Sequence, residues 1–405
     1  MSENRLRVLH LVQNLNYGGM ERLIAELARR ADPARLEVHV MALQYVGRFG
    51  RELEGFARVH LAAPMRAWSL LRPAALAAEV RRIAPDVVHT HSGVWLKGAT
   101  AARMAGVPRV VHTEHGRRAP DPPDDRLLDH LAARRTDVVA AVSAPLADHL
   151  RRRVTGAGPR IVVIPNGVDT GAFRPPGDGG GAVRAELGIG PGDRVLLSIG
   201  RLERVKGYDL LVRALAALRD LRPDLYGSTV AVVAGDGSER RRLEQLARSL
   251  GVAPRLRLAG WRDDVHALHA AATVFTLTSR SEGTSVSLLE AMSAGVCPVV
   301  TDVGGNAAVL GPALRHRLAT PGDPRALAAA WAHALGQAAL RERDARTARA
   351  RVLRAFGADV MARRYEALYR GRLEDAEEPS ARPVEQAARP EPAAAPARVS
   401  IAGFT

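Results

Sequence analysis

Apolar residues in this chain fall into short, nearly unbroken runs separated by longer amphipathic stretches. The runs at 6–12, 36–43, 59–61, 86–90, 109–113, 138–142 and 161–164 predict strands, and the periodic stretches near 19–30, 73–83 and 94–105 predict helices. Strands apolar at nearly every position need cover on both faces, which predicts a parallel, doubly wound α/β sheet. A stretch rich in Pro and Gly follows at 171–193 and reads as a linker. The pattern then restarts at 194–200 and runs through 207–219, 229–234, 239–250, 255–259 and 273–278 to a helix at 286–294 and a strand at 296–300. Two Rossmann-like domains facing a central cleft are therefore expected, at 1–170 and 194–352. A C-terminal helix at 353–372 is expected to return to the first domain. Residues 373–405, dense in Pro, Ala and Glu, read as a disordered tail.

Composition narrows the function. A hydrophobic content of 47% over 405 residues can fill two cores. The single cysteine, Cys297, lies in an apolar strand, so no disulfide framework is available and a reducing compartment is expected. Met1 to Arg7 leads straight into a strand, and no apolar run reaches the roughly 18 residues of a membrane span. The expectation is a cytoplasmic protein, peripheral at most on the inner membrane face. A net charge of +15 suits nucleic acid, an anionic membrane surface or an anionic substrate. With 4% aromatics and no basic run interleaved with them, nucleic acid is set aside. Among the 58 basic residues only Lys97 and Lys206 are lysines. A lysine retained against that background suits a compact charge on a phosphate oxygen.

The chemistry gathers where strands end. Glu282 falls in the loop between the strand at 273–278 and the helix at 286–294, and Glu290 falls within that helix. Such loops open at the carboxyl ends of a parallel sheet, where ligands bind, and the helix start offers free N–H groups to an anion. Gly200, Arg201 and Leu202 close the first strand of the second domain, and Lys206 opens the next helix, so both cations face the same crevice. Gly18 and Gly19 begin the first helix of the chain. His112 and His115 follow the strand at 109–111, with His115, beside Gly116, the better candidate for substrate contact. Gly235 and Gly237 imitate a dinucleotide fingerprint, but Arg240 stands where its third glycine belongs, so a structural turn is expected. No His or Cys spacing fits a metal, and the acidic residues Asp121, Asp124 and Asp125 read as a solvated loop. No nucleophile elbow is present.

Together these residues resemble the family-4 (group 1) glycosyltransferases of GT-B fold. The resemblance extends to about residue 372 and rests on the GGxE start at 18–21, the histidine-glycine loop at His115, the NGVD segment 166–169, GRLxxxKG at 200–207, GDG at 235–237 and the paired glutamates. It implies a retaining, nucleotide-sugar-dependent transferase needing neither metal nor cofactor. Glu290 would take the ribose hydroxyls, Glu282 the donor sugar, and Gly283, Thr284, Ser285 and Val286 the sugar and phosphate through their backbone. Arg201 and Lys206 would clamp the diphosphate, Gly18 and Gly19 would approach it from the first domain, and His115 would touch the transferred sugar. The acceptor would be a saccharide or lipid-linked saccharide, in exopolysaccharide or cell-envelope glycan synthesis. Arg66, Trp68, Leu70, Leu71 and Arg72 form a basic, apolar stretch that reads equally as a membrane contact or as a solvated loop and helix start. A nucleotide-sugar 2-epimerase and a non-catalytic sugar-nucleotide-binding subunit are the alternatives. Two departures stand out: Asn306 and two alanines replace an acidic residue frequent in the family, and Ser238 replaces a proline.

Overall fold

Thirteen strands build two separate parallel sheets in the computed structural model, which describes residues 4–16, 18–64, 73–116, 123–154, 158–175, 177 and 180–376. The first sheet contains β1 (Leu6–Asn14), β2 (Leu36–Tyr45), β3 (Arg58–Leu61), β4 (Val87–His91), β5 (Arg109–Glu114), β6 (Val138–Ala141) and β7 (Arg160–Val163), in the order β3-β2-β1-β4-β5-β6-β7. The second contains β8 (Arg194–Ile199), β9 (Thr229–Ala234), β10 (Leu256–Gly260), β11 (Val274–Leu277), β12 (Cys297–Thr301) and β13 (Leu318–Ala319), in the order β10-β9-β8-β11-β12-β13. The strand order reverses between β1 and β4 and again between β8 and β11. Loops leaving those carboxyl ends part to opposite faces and open a crevice, which is where a doubly wound sheet takes its ligand.

Each sheet is covered on both faces, as its apolar strands require. Val8, Val12, Val40 and Val111 meet one helical layer, while Leu9, Leu11, Val88 and Val110 meet the other. The second sheet is sandwiched the same way, with Leu196 and Val233 on one side and Leu197 and Val232 on the other.

The chain crosses between the sheets at two adjacent points. Val168 N–H donates to Phe356 O, and Ala358 N–H donates to Val168 O, each at 2.9 Å. The helix Ala358–Tyr369 then places Met361, Tyr365, Leu368 and Tyr369 in the core beneath the first sheet. The return begins later than the sequence suggests, because residues 353–355 complete the preceding helix, Ala338–Ala355, whose Val352 belongs to the second core.

Two further boundaries shift. The expected linker contains a helix, Gly181–Glu186, whose Val183 joins Ile189 in the second core. Its glycine and proline content masked that short apolar spacing. The expected tail begins with a helical turn, Leu373–Ala376, that buries Ala376 against the first domain. Asp124 and Asp125, read from sequence as loop residues, lie in the first turn of the helix Pro123–Ala133. Arg66, Trp68, Leu70, Leu71, Arg72 and Asp121 lie outside the described residues, as does 377–405. Among the described residues no helix is long and apolar enough to cross a membrane.

Local caps fix some of these elements independently of the cleft. Asp323 opens the helix Pro324–Gly336, its Oδ1 accepting from the N–H groups of Arg325 at 2.8 Å and Ala326 at 3.0 Å. Asp323→Ala is expected to lower the unfolding free energy by about 1 kcal/mol, measured by urea denaturation.

Candidate active site

The crevice wall in the second domain is made by two loops tied to each other. Lys206 O accepts from Thr278 Oγ1 at 3.0 Å, and Val205 O accepts from the Arg280 N–H at 2.8 Å. Gly207 makes this approach possible: its φ is +63°, and a Cβ there would lie 2.2 Å from Thr278 O. Behind them Leu202 N–H donates to Asp236 O and Glu239 N–H to Leu202 O, each at 2.9 Å. The segment around Gly235 and Gly237 thus buttresses the Gly200–Leu202 turn and acts as the structural turn its sequence suggests.

Lys206 and Glu282 meet between these loops. Lys206 Nζ donates to Glu282 Oε1 at 2.7 Å, and Ser279 Oγ donates to the same oxygen at 2.6 Å. The Glu282 side chain is 8% exposed and that of Lys206 23%, so the pair is largely shielded while one edge faces the crevice. The loop turns under Gly304, whose φ is +54° and whose Cβ would lie 1.8 Å from Glu282 O; no larger residue fits there.

From this loop the chain enters the helix Val286–Ser293, capped by Ser285, whose Oγ accepts from the Leu288 N–H at 3.4 Å. Thr284 Oγ1 donates to Val142 O, and Thr284 O accepts from Asn166 Nδ2 at 2.7 Å, binding the loop to the first domain. Gly283 passes so near that a Cβ would lie 2.7 Å from His115 O. Glu290, one turn into the helix, is 2% exposed, with Leu288, Leu289, Ala291 and Met292 buried around it. Burial raises its pKa and Arg22 opposes the rise. The Arg22 guanidinium reaches across from the helix Gly19–Arg30 to bind Glu290 Oε1, while Glu290 Oε2 is buried without a partner.

In the first domain, Gly18 and Gly19 open the helix Gly19–Arg30, and Gly19 lies close enough to Val286 that a Cβ would sit 3.5 Å from its methyl group. Glu21 folds back over Gly18; burial raises its pKa, against its own backbone N–H and the charge of Arg201. Arg201 itself is exposed. His115 ends a chain of imidazoles: His115 Nε2 and His91 Nδ1 are 3.0 Å apart, as are His91 Nε2 and His10 Nδ1. Burial pushes the His115 pKa down to about 4, so the ring is neutral at physiological pH. His112 is buried and stacked on Trp95 at 4.3 Å, a structural role.

The ring nitrogens of His10, His89 and His91 come within 4.8 Å of one another, the spacing of a metal set. Those nitrogens are already engaged: His89 bonds Tyr369 and Thr113, and His91 bonds His10 and His115. The cluster reads as a hydrogen-bond chain.

The expected residues thus converge on one crevice: Arg201, Lys206 and the 282–290 segment from one domain, Gly18, Gly19 and His115 from the other. Sequence reasoning missed Arg22 and His91, and it cited Glu21 only as the end of the GGxE start without giving it a role. Arg22 left one usable signal, since a glutamate inside an apolar helix demands a cation. His91 left no signal in the sequence, since its link to His115 depends on β4 and β5 lying side by side.

Cations and a helix start are thus flanked in the crevice by two shielded carboxylates. Two family profiles match the chain, glycosyl transferases group 1 over residues 182–351 and glycosyltransferase family 4 over residues 17–172. A D-inositol 3-phosphate glycosyltransferase of Actinosynnema mirum is 32% identical over 303 residues, covering 70% of this chain and 68% of that protein. The UDP-Gal:alpha-D-GlcNAc-diphosphoundecaprenol alpha-1,3-galactosyltransferase of Escherichia coli is 33% identical over 229 residues, 55% of this chain and 59% of that protein. In fold, the chain is similar to HepE of Anabaena, solved with UDP and glucose, with a TM-score of 0.77 at 23% identity over 91% of this chain and 100% of that one. It is also similar to WaaG, a glycosyltransferase involved in lipopolysaccharide biosynthesis, with a TM-score of 0.68 at 19% identity over 90% and 100% of the two chains. The chain belongs to the group 1 glycosyltransferases, of GT-B fold.

Proposed function

We propose that this protein transfers a sugar from a nucleotide diphosphate sugar to a hydroxyl acceptor, with retention at the anomeric carbon. The observation that carries this reading is the 282–290 segment: Glu282 with Lys206 at one end, a helix start in the middle, and at the other end Glu290 with one buried oxygen unpartnered. A helix rises about 1.5 Å per residue, so the four residues from Val286 to Glu290 span roughly 6 Å, a fitting step from phosphate to ribose. Glu282 accepts from the donor sugar's hydroxyls and Glu290 from the ribose diol. Arg201, Lys206 and the N–H groups at Ser285 and Val286 neutralise the diphosphate as it leaves, so that no metal is required. The departing phosphate oxygen takes the acceptor's proton on the face from which the sugar leaves. Neutral His115 touches the sugar from the first domain.

A UDP-sugar is the first donor to test, since the E. coli relative is named for UDP-Gal. That relative's lipid diphosphate acceptor favours a lipid-linked saccharide here, in envelope or exopolysaccharide synthesis. The +15 net charge favours peripheral attachment to an anionic inner membrane face.

A thermal-shift screen of UDP, GDP and ADP tests the site. One of them is expected to stabilise the protein by about 2.7 kcal/mol at a hundredfold excess over its Kd. A donor panel with anomeric analysis then tests the chemistry. No shift with any diphosphate would refute the donor site, and an inverted product would refute retention.

A further inference from the structure

Glu290 makes an unusual demand on the fold. It is 2% exposed in an apolar helix, and a carboxylate so placed stays ionised only beside a cation. Its own domain does not supply the one it has. Arg22 comes from the first helix of the chain, 268 residues away and on the other side of the crevice, with a side chain 34% exposed. The guanidinium occupies Oε1 and leaves Oε2 buried and unpartnered, an acceptor with nothing to accept from.

The surroundings make this pair part of a seam. Gly19 and Val286, at the starts of their helices, face each other across the domains. Arg22 lies three residues beyond Gly19 and Glu290 four beyond Val286, so each stands about one turn behind its helix start. Separating the domains would part the helix starts and strip Glu290 of its cation together, while the carboxylate stayed within its apolar helix. Bringing them together restores the charge on Oε1 and leaves Oε2 as the carboxylate's one unpartnered acceptor.

We infer that Arg22 is a positioning residue of the nucleotide site, holding Glu290 as an oriented carboxylate whose free oxygen receives the ribose diol only while the two domains are together. Nucleotide affinity and domain closure then form one linked equilibrium, because a ligand that binds the closed arrangement better shifts the population towards it. This rests on the reading that Glu290 takes the ribose, and the test separates the two.

The experiment compares full-length wild type, Arg22→Ala, Arg22→Lys and Glu290→Gln by calorimetric titration with UDP and with inorganic pyrophosphate, and by small-angle X-ray scattering. Arg22→Ala is expected to weaken UDP by about 5- to 150-fold, the ordinary range of coupling between sites, and to leave pyrophosphate almost unchanged. Its ligand-free form should scatter as a more open particle. Arg22→Lys, which keeps the charge, should recover most of the UDP affinity. Unchanged UDP binding by Arg22→Ala beside a loss in Glu290→Gln would overturn the inference and leave the ribose reading standing. Equal weakening of UDP and pyrophosphate would overturn it too, placing Arg22 on the diphosphate. Full UDP affinity in Glu290→Gln would sink the ribose reading and the inference together.

Discussion

Lys206→Ala is expected to lower turnover by about 10²- to 10³-fold, the usual consequence of removing one preorganised donor from a developing negative charge. Lys97→Ala should leave turnover within about twofold, since Lys97 sits on the helix Trp95–Ala105 of the first domain and not on the second-domain loops that carry Arg201, Lys206 and Glu282. Both are measured as kcat in an assay of nucleotide diphosphate release. The contrast is informative because these two are the chain's only lysines. Lys206 stands in a turn pressed against the end of β11, where Gly207 leaves no room for a Cβ, and its ammonium reaches Glu282 as a point charge. Arginine offers a planar fork with a different reach, so Lys206→Arg should rescue little. Equal losses at Lys97 and Lys206 would refute this account of the lysine.

The charges of the crevice neutralise one another. Lys206 is paired with Glu282, Arg22 with Glu290, and the charge of Arg201 acts on buried Glu21. A bare anion would have to draw these cations away from carboxylates that keep their own charge. On the proposed reading a nucleotide sugar avoids that cost, because its hydroxyls would serve Glu282 and Glu290 while its diphosphate would meet the cations between them. The arrangement thus favours a ligand with donors at both ends over inorganic phosphate, through chemistry the protein holds ready.

Much of this was legible in the sequence, for reasons of range. Strands buried on both faces announce themselves as apolar runs, and the helix at Val286 follows its serine cap and periodic apolar residues, so both domains and the donor segment are local patterns. Lys206 is visible as a retained lysine and Gly19 as a helix opening. Arg22 is not, because nothing near residue 22 reports that Glu290 lies opposite it once two domains dock. His91 is hidden for a related reason: its link to His115 depends on β4 and β5 being neighbours, which is a fact of topology. Composition misled at both boundaries, where the glycines around Gly181–Glu186 and the acidic turn Leu373–Ala376 outweighed the few apolar residues that anchor them.

Glu282→Gln and Glu290→Gln should fail in opposite ways, although the two carboxylates belong to one loop-helix unit. On the proposed reading Glu282 faces the sugar, and it pairs with Lys206; its amide replacement keeps the shape, loses the charge and frees the ammonium. UDP, which carries no sugar beyond the diphosphate, should bind Glu282→Gln as tightly as wild type or more so, while kcat with the intact donor falls by about 10²-fold. Glu290→Gln should instead lose UDP affinity, because the ribose end loses its acceptor. The Lys206→Ala and Glu282→Gln changes combined should cost much less than the product of the separate effects, since each removes the other's partner at 2.7 Å. Titration with UDP and kcat measurements on the three variants and the double variant give the result. Equal weakening of UDP by Glu282→Gln and Glu290→Gln would place both acids on the nucleotide and leave the sugar without its carboxylate.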